Sequence, residues 1–224
     1  MSNKGPYYGL QDFFGKPLVE KAEELGYTLD NILILKGKME ELRVKYPEIY
    51  NNLYTCNHNR DRRTPEEYAK DLVASWIFED YIVYCLQNDD FDLKLDGADK
   101  ERHILAHSSV KSDSDFVLTR KGVSVQIELA TDYFNYWKTY GKIDLRDSKY
   151  KKLADSGSLL LGISILDRTF FIIDFRDGDV KAKYIPNHRP YGFKPAYSIN
   201  FKEAGTVFHT FSEANIIKEI VRIL

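Results

Sequence analysis

Residues 158–166, Ser-Leu-Leu-Leu-Gly-Ile-Ser-Ile-Leu, constrain the fold more than any other stretch of the chain. A strand sends alternate side chains to opposite faces. Both faces are apolar here, so this strand is central in a sheet that is covered on each side. The neighbouring runs agree. "FDLKLDG" (91–97), "DFVLTRKG" (115–122) and "VSVQIELA" (123–130) read as three strands joined by short turns or loops, and "TFFIIDF" (169–175) as another. "DSKYKKLADSG" (147–157) is a short helix with Gly157 as its stop. Upstream, Thr64 is a helix N-cap, Pro65 fits the first helical position and Glu67 completes a capping box, for a helix running to about Gln87. "PLVEKAEELG" and "NILILKGKMEELRVKYPEIYNNLY" have helical spacing broken by Gly26 and Pro47, and "SEANIIKEIVRIL" is an amphipathic helix. The element order predicts an α/β fold with a mixed sheet. An N-terminal helical lobe (1–63) precedes the core (64–224), and residues 176–210 are mixed.

One residue fits the strand pattern poorly. Val125, Ile127 and Leu129 share one face of their strand and are expected in the core, while Gln126, Glu128 and Ala130 share the other. Glu128 therefore places a charge inside an apolar run, where it must be solvated, paired or bound to a cation. Asp115 opens the preceding strand, which can set it beside Glu128. Two adjacent carboxylates repel unless a cation lies between them, and hard oxygen ligands suit Mg²⁺, with Mn²⁺ as a substitute. A third acid, Glu79, falls on the helical stripe Leu72, Trp76, Val83 and Leu86. Each acid alone has a plain structural reading: a helix-edge glutamate that snorkels outward, a turn residue at a strand start, a salt-bridged strand residue. Three such accidents together are harder to accept.

These pieces resemble the PD-(D/E)XK nuclease superfamily, the fold of many restriction endonucleases and junction resolvases. The resemblance rests on "WIFEDYIVYCL", "SDFVL", "VQIELA" and "SKYKKL" with "SLLLGISI", within residues 65–175, and on their order. It implies a restriction-endonuclease-like core, with Glu79 as the acid of the first core helix, Ser114-Asp115 where the family has Pro-Asp, and Glu128 at the (D/E) position. The family's lysine position falls on Ala130, which cannot orient a water or stabilise negative charge. Gln126 on the same strand face, Lys149 or Lys152 on the next helix, and more loosely Lys142, are the candidates to replace it, with Lys149 slightly ahead of Lys152.

With a net charge of −2, a polyanionic partner must be met by local basic patches. Two segments qualify beside "RDRR" (60–63). Residues 136–152 carry Lys138, Lys142, Arg146, Lys149 and Lys152. Residues 181–202 interleave Arg189 and Lys194 with Tyr191 and other aromatics, and either segment alone is also compatible with a solvated surface. Cys56 with His58 lacks the second pair a zinc site needs, and His103 with His107 is little better. Two cysteines make no disulfide framework, and no stretch reads as a signal or a membrane span, so a cytoplasmic protein is expected. The resulting expectation is an Mg²⁺-dependent endonuclease acting on double-stranded DNA. The type II restriction class is the first choice, and a homodimer matches a palindromic site. A structure-selective nuclease and an inactive nuclease-fold DNA-binding module are the alternatives.

Overall fold

The computed structural model describes residues 5–55, 63–88, 90–97, 100–105, 114–178 and 180–224. Cys56, His58, the arginines at 60 and 62, and His107 lie outside them. The fold is mixed α/β, and it divides into two units, Met1–Cys85 with Leu95–Asp113, and Leu86–Lys94 with Ser114–Leu224.

The first unit is helical: α1 (Pro6–Phe14), α2 (Leu18–Glu24), α3 (Leu29–Leu35), α4 (Met39–Lys45), α5 (Pro47–Thr55) and α6 (Pro65–Leu86). The capping box forms as the sequence predicts. Thr64 N–H donates to Glu67 Oε2 at 2.8 Å, and Glu67 N–H donates to Thr64 Oγ1 at 3.2 Å. The buried stripe of α6 differs from the expected one. Leu72 and Val83 are half-buried, whereas Ala69, Val73, Ala74, Ile77, Phe78 and Ile82 are fully enclosed beside Trp76. Burial on more than one side weakens the single-stripe signal on which a helical-wheel reading depends. No helix of the described residues is long and apolar enough to cross a membrane.

The second unit holds β1 (Asp92–Leu95), β2 (Phe116–Arg120), β3 (Val123–Asp132), α7 (Tyr136–Tyr140), β4 (Lys142–Arg146), α8 (Asp147–Ser156), β5 (Leu159–Ser164), β6 (Thr169–Asp174), β7 (Lys183–His188), β8 (Lys194–Asn200), β9 (His209–Thr210) and α9 (Glu213–Ile223). Six strands form one mixed sheet in the order β1-β2-β3-β5-β6-β9. Strands β2 and β3 make an antiparallel hairpin closed at Arg120–Val123. Its two turn residues, Lys121 and Gly122, have φ of 48° and 82°, the pair of positive values a two-residue turn of this hand requires. Strand β3 runs parallel to β5, so the chain must cross over between them, and the crossover contains α7, β4 and α8. All six residues of β5 are buried, as its doubly apolar pattern demands. The sequence pattern does not reveal β4, β7 and β8, which form a second, three-stranded antiparallel sheet in the order β4-β8-β7.

That second sheet alters the expected role of the Glu128 face. Ile143 and Leu145 of β4, Ile199 of β8, Leu153 of α8 and Trp137 of α7 pack with Leu160, Phe171 and Ile173 of the main sheet into one buried cluster, against which Ala130 is half-buried. Register pairs Glu128 with Leu160 and Ala130 with Gly162, and Gly162 with Phe171. The polar-looking face of β3 therefore runs into a core. Leu129, expected inside, is only half-buried. Gly162 is needed because a Cβ there would lie 2.1 Å from Phe171 Cζ. That ring is held by Trp137, Phe201 and Phe208, at centroid distances of 5.0, 4.9 and 5.1 Å. Gly162→Ala is expected to cost about 3 kcal/mol through overpacking, read as a lower urea midpoint. An unchanged midpoint would show that the ring moves freely.

Candidate active site

The hairpin of β2 and β3 brings the two strand acids together. One step beyond the Phe116–Ile127 pair, Asp115 lies on the same face as Glu128, and Leu129 N–H donates to Asp115 Oδ2 at 2.7 Å. Glu128 is 8% exposed, so its charge needs a partner. It has two. Lys149 and Lys152 are three residues apart on α8 and present their ammonium groups on the same side of the helix. Lys149 Nζ stands 2.8 Å from Glu128 Oε1, and Lys152 Nζ stands 3.1 Å from Oε2. Lys149 Nζ also donates to the Leu129 carbonyl at 3.4 Å. Partial burial pushes the Asp115 carboxyl up to about 6, and the nearby Glu128 charge adds to the rise, against the opposing pull of Lys149, the Leu129 N–H and Lys152.

This arrangement offers oxygen donors only: two carboxylates and, through the Lys149 contact, one backbone carbonyl. Among the described residues no cluster of three or more His, Cys, Asp and Glu side chains is placed to hold a metal. Mg²⁺ does not need one, since it keeps several waters and commonly takes one or two carboxylates plus substrate phosphate. An ammonium already sits against a carboxylate oxygen and a carbonyl, as a cation would. The donor set fits a hard divalent ion.

Gln126, the other candidate on the Glu128 face, is exposed, and its Oε1 accepts from Ser158 Oγ at 3.4 Å. Ser158 is itself buried and lies 2.5 Å from Ser156 Oγ, a polar link that no sequence pattern singles out. Glu79 belongs to the helical unit. There its carboxylate accepts from Arg102 Nη1 at 2.7 Å, and Arg102 also donates to Asp80, which accepts from Tyr27 OH. This network gives Glu79 a structural reason to interrupt an apolar stripe.

Among the basic candidates, Lys142 is paired with Asp144 at 3.0 Å and Lys138 with Asp167 at 3.3 Å. Arg146, Arg189 and Lys194 are exposed and have no carboxylate partner among the described residues. Arg146 lies over the Tyr191 ring at 5.5 Å, and Tyr191 OH donates to the Asp144 carbonyl at 2.5 Å. Asp144, unremarkable in the sequence, anchors this region. It is 8% exposed, and its Oδ2 accepts from Tyr136 OH at 2.6 Å and meets His188 Nε2 at 3.0 Å. Burial alone would raise its carboxyl, but bonds from Ser198, Tyr136, Lys142 and His188 win and hold it down at about 2. Its one signal is the alternation in "KIDLR", five residues in which Ile143 and Leu145 face inward.

No protein-family model matches the chain, and no curated protein matches its sequence.

Proposed function

We propose that the chain is a metal-dependent DNA endonuclease with a restriction-endonuclease-like core, most simply of the type II restriction class. The observation that carries this reading is the meeting of Asp115 and Glu128, from adjacent strands, with two lysines from α8 in a setting too buried to leave carboxylates idle. Two carboxylates that converge with two lysines, one carboxyl pushed well up by burial and its neighbour, form the kind of perturbed charge cluster that is concentrated at functional sites. The ligands would be Asp115, Glu128 and the Leu129 carbonyl. A divalent ion bound there supplies an activated water and Lewis-acid stabilisation of the scissile phosphate. Glu128 is held from α8 by Lys149 and Lys152. The lysines take over the positive charge that Ala130 cannot provide. We leave Glu79 out of this set, because the Arg102 network accounts for it.

Arg146, Arg189 and Lys194, exposed and uncompensated, suit contacts with backbone phosphates, and Tyr191 is the platform that holds Arg146. Lys138 and Lys142 are weaker candidates, since each already has a carboxylate. Replacing Arg146, Arg189 and Lys194 together by Ala is expected to weaken duplex binding and flatten its salt slope, by up to about 0.9 for each phosphate that is no longer neutralised. An unchanged slope would remove these residues from the DNA surface. The function itself is tested by incubating plasmid and branched DNA with Mg²⁺ and sequencing the ends. Discrete sites in linear duplex support a restriction enzyme, preference for branches points to a structure-selective nuclease, and tight binding without cuts points to a binding module.

A further inference from the structure

We propose that the two α8 lysines have different duties: Lys149 is a built-in occupant of the cation seat that leaves when a divalent ion enters, whereas Lys152 keeps its contact and is the lysine that serves the phosphate. The proposal rests on the metal-dependent reading above and deepens it.

The contacts differ in kind. Lys149 Nζ touches Glu128 Oε1 and the Leu129 carbonyl, two of the three oxygens a metal ion would take. Leu129 is also the residue whose N–H donates to Asp115, so one backbone residue contacts both groups, the Asp115 carboxylate through its N–H and the Lys149 ammonium through its C=O. An ammonium in that place and a divalent ion compete for the same donors. Lys152 engages the other carboxylate oxygen, Oε2. Access separates them as well. The Lys149 side chain is 33% exposed and that of Lys152 22%, so Lys149 has the easier path to water. A strongly hydrated ammonium on a flexible stem exchanges this contact for water once a divalent ion takes over the charge of Glu128. Without a divalent ion, Lys149 neutralises a carboxylate pair that would otherwise repel. With the ion bound, it swings outward. The sequence alone puts Lys149 ahead as the replacement for the missing lysine, and the contact pattern reverses that order.

The test needs no catalysis. The full-length protein is acetylated with a limiting amine-reactive reagent, with and without Mg²⁺ or Mn²⁺, and each lysine is quantified by mass spectrometry. Lys149 modification is expected to rise severalfold on metal addition while Lys152 stays constant. In parallel, Mn²⁺ affinity is measured by calorimetry for wild type, Lys149→Met, Lys152→Met and Glu128→Gln. Removing the competing cation is expected to tighten binding by about tenfold in Lys149→Met, a change of about 1.4 kcal/mol. Lys152→Met should gain clearly less, and Glu128→Gln should lose binding. If metal binds wild type and is lost in Glu128→Gln, yet neither Lys149 labelling nor the Lys149→Met affinity changes, the division of duties is wrong and the metal site stands. If no variant and no wild type binds metal, the metal-dependent reading itself fails. Labelling is done on wild type, so a poorly folded variant does not shield the proposal.

Discussion

Asp115→Asn is expected to melt at a higher temperature than wild type at pH 8, and to have lost DNA cleavage. The Asp115 carboxyl is pushed up to about 6, by partial burial first and by Glu128 second. Its unfolded counterpart titrates near the ordinary aspartate value of about 3.9. The folded state therefore holds a proton that the unfolded state has lost between those values. Stability supplied by the neutral form is complete below about 4 and is lost as pH rises through about 6. Above that, wild type carries a charge that folding disfavours, and Asn does not. A rise of this size corresponds to on the order of 2 kcal/mol after allowance for the interaction with Glu128, or about 5 °C in a chain of this length. The advantage should vanish near pH 4, because the folded wild type then carries a neutral carboxyl at 115, as the variant carries a neutral amide. Asparagine still accepts from Leu129 N–H, so the backbone contact survives. Cleavage should fall by about a hundredfold or more under single-turnover conditions, the usual scale for removing one transition-state stabiliser. Calorimetry of both proteins from pH 4 to 9 decides the first half. A melting-temperature difference that is flat with pH would mean that Asp115 is an ordinary strand-start residue. Stabilisation on loss of a functional group would instead be the mark of a site maintained against the interest of the fold.

Several elements are legible in the sequence because their signals are local. The α6 capping box lies within four residues, the β5 run is apolar from Leu159 to Ile163, and the α8 helix closes at Gly157. Glu128 stands out for the same reason, as a charge inside a period-two pattern. Other features depend on partners far along the chain. Asp144 is recognisable only once Tyr136, His188 and Ser198 converge on it, from segments as much as 54 positions away. Glu79 has its partner in Arg102, in a segment without periodicity. The second sheet is hidden because β4 has five residues, and β7 carries Pro186 with mostly exposed side chains, so neither makes a hydrophobic run. The hidden sheet has one chemical consequence. The Glu128 face looks open on β3, and its inner half is the wall of a core.

That core accounts for the small residue at position 130, and a lysine placed there should fail. Ala130 pairs with Gly162, and Gly162 with Phe171, so the three lie side by side across three strands on one face. The Phe171 ring occupies the space above Gly162, and Trp137, Phe201 and Phe208 close around it. A lysine at 130 would press its stem into this aromatic packing. Overpacking is expected to cost about 3 kcal/mol in Ala130→Lys. Its effect on cleavage should be null or negative, because α8 already places Lys152 on Glu128. The sharper comparison uses Lys152→Ala as background. Ala130→Lys added to it should recover no cleavage, while stability falls further than in either single variant. Urea midpoints give the stability arm and single-turnover rates at saturating enzyme give the other. A double variant that recovers tenfold or more in rate would show that a lysine at position 130 can serve the phosphate, and that packing does not exclude it.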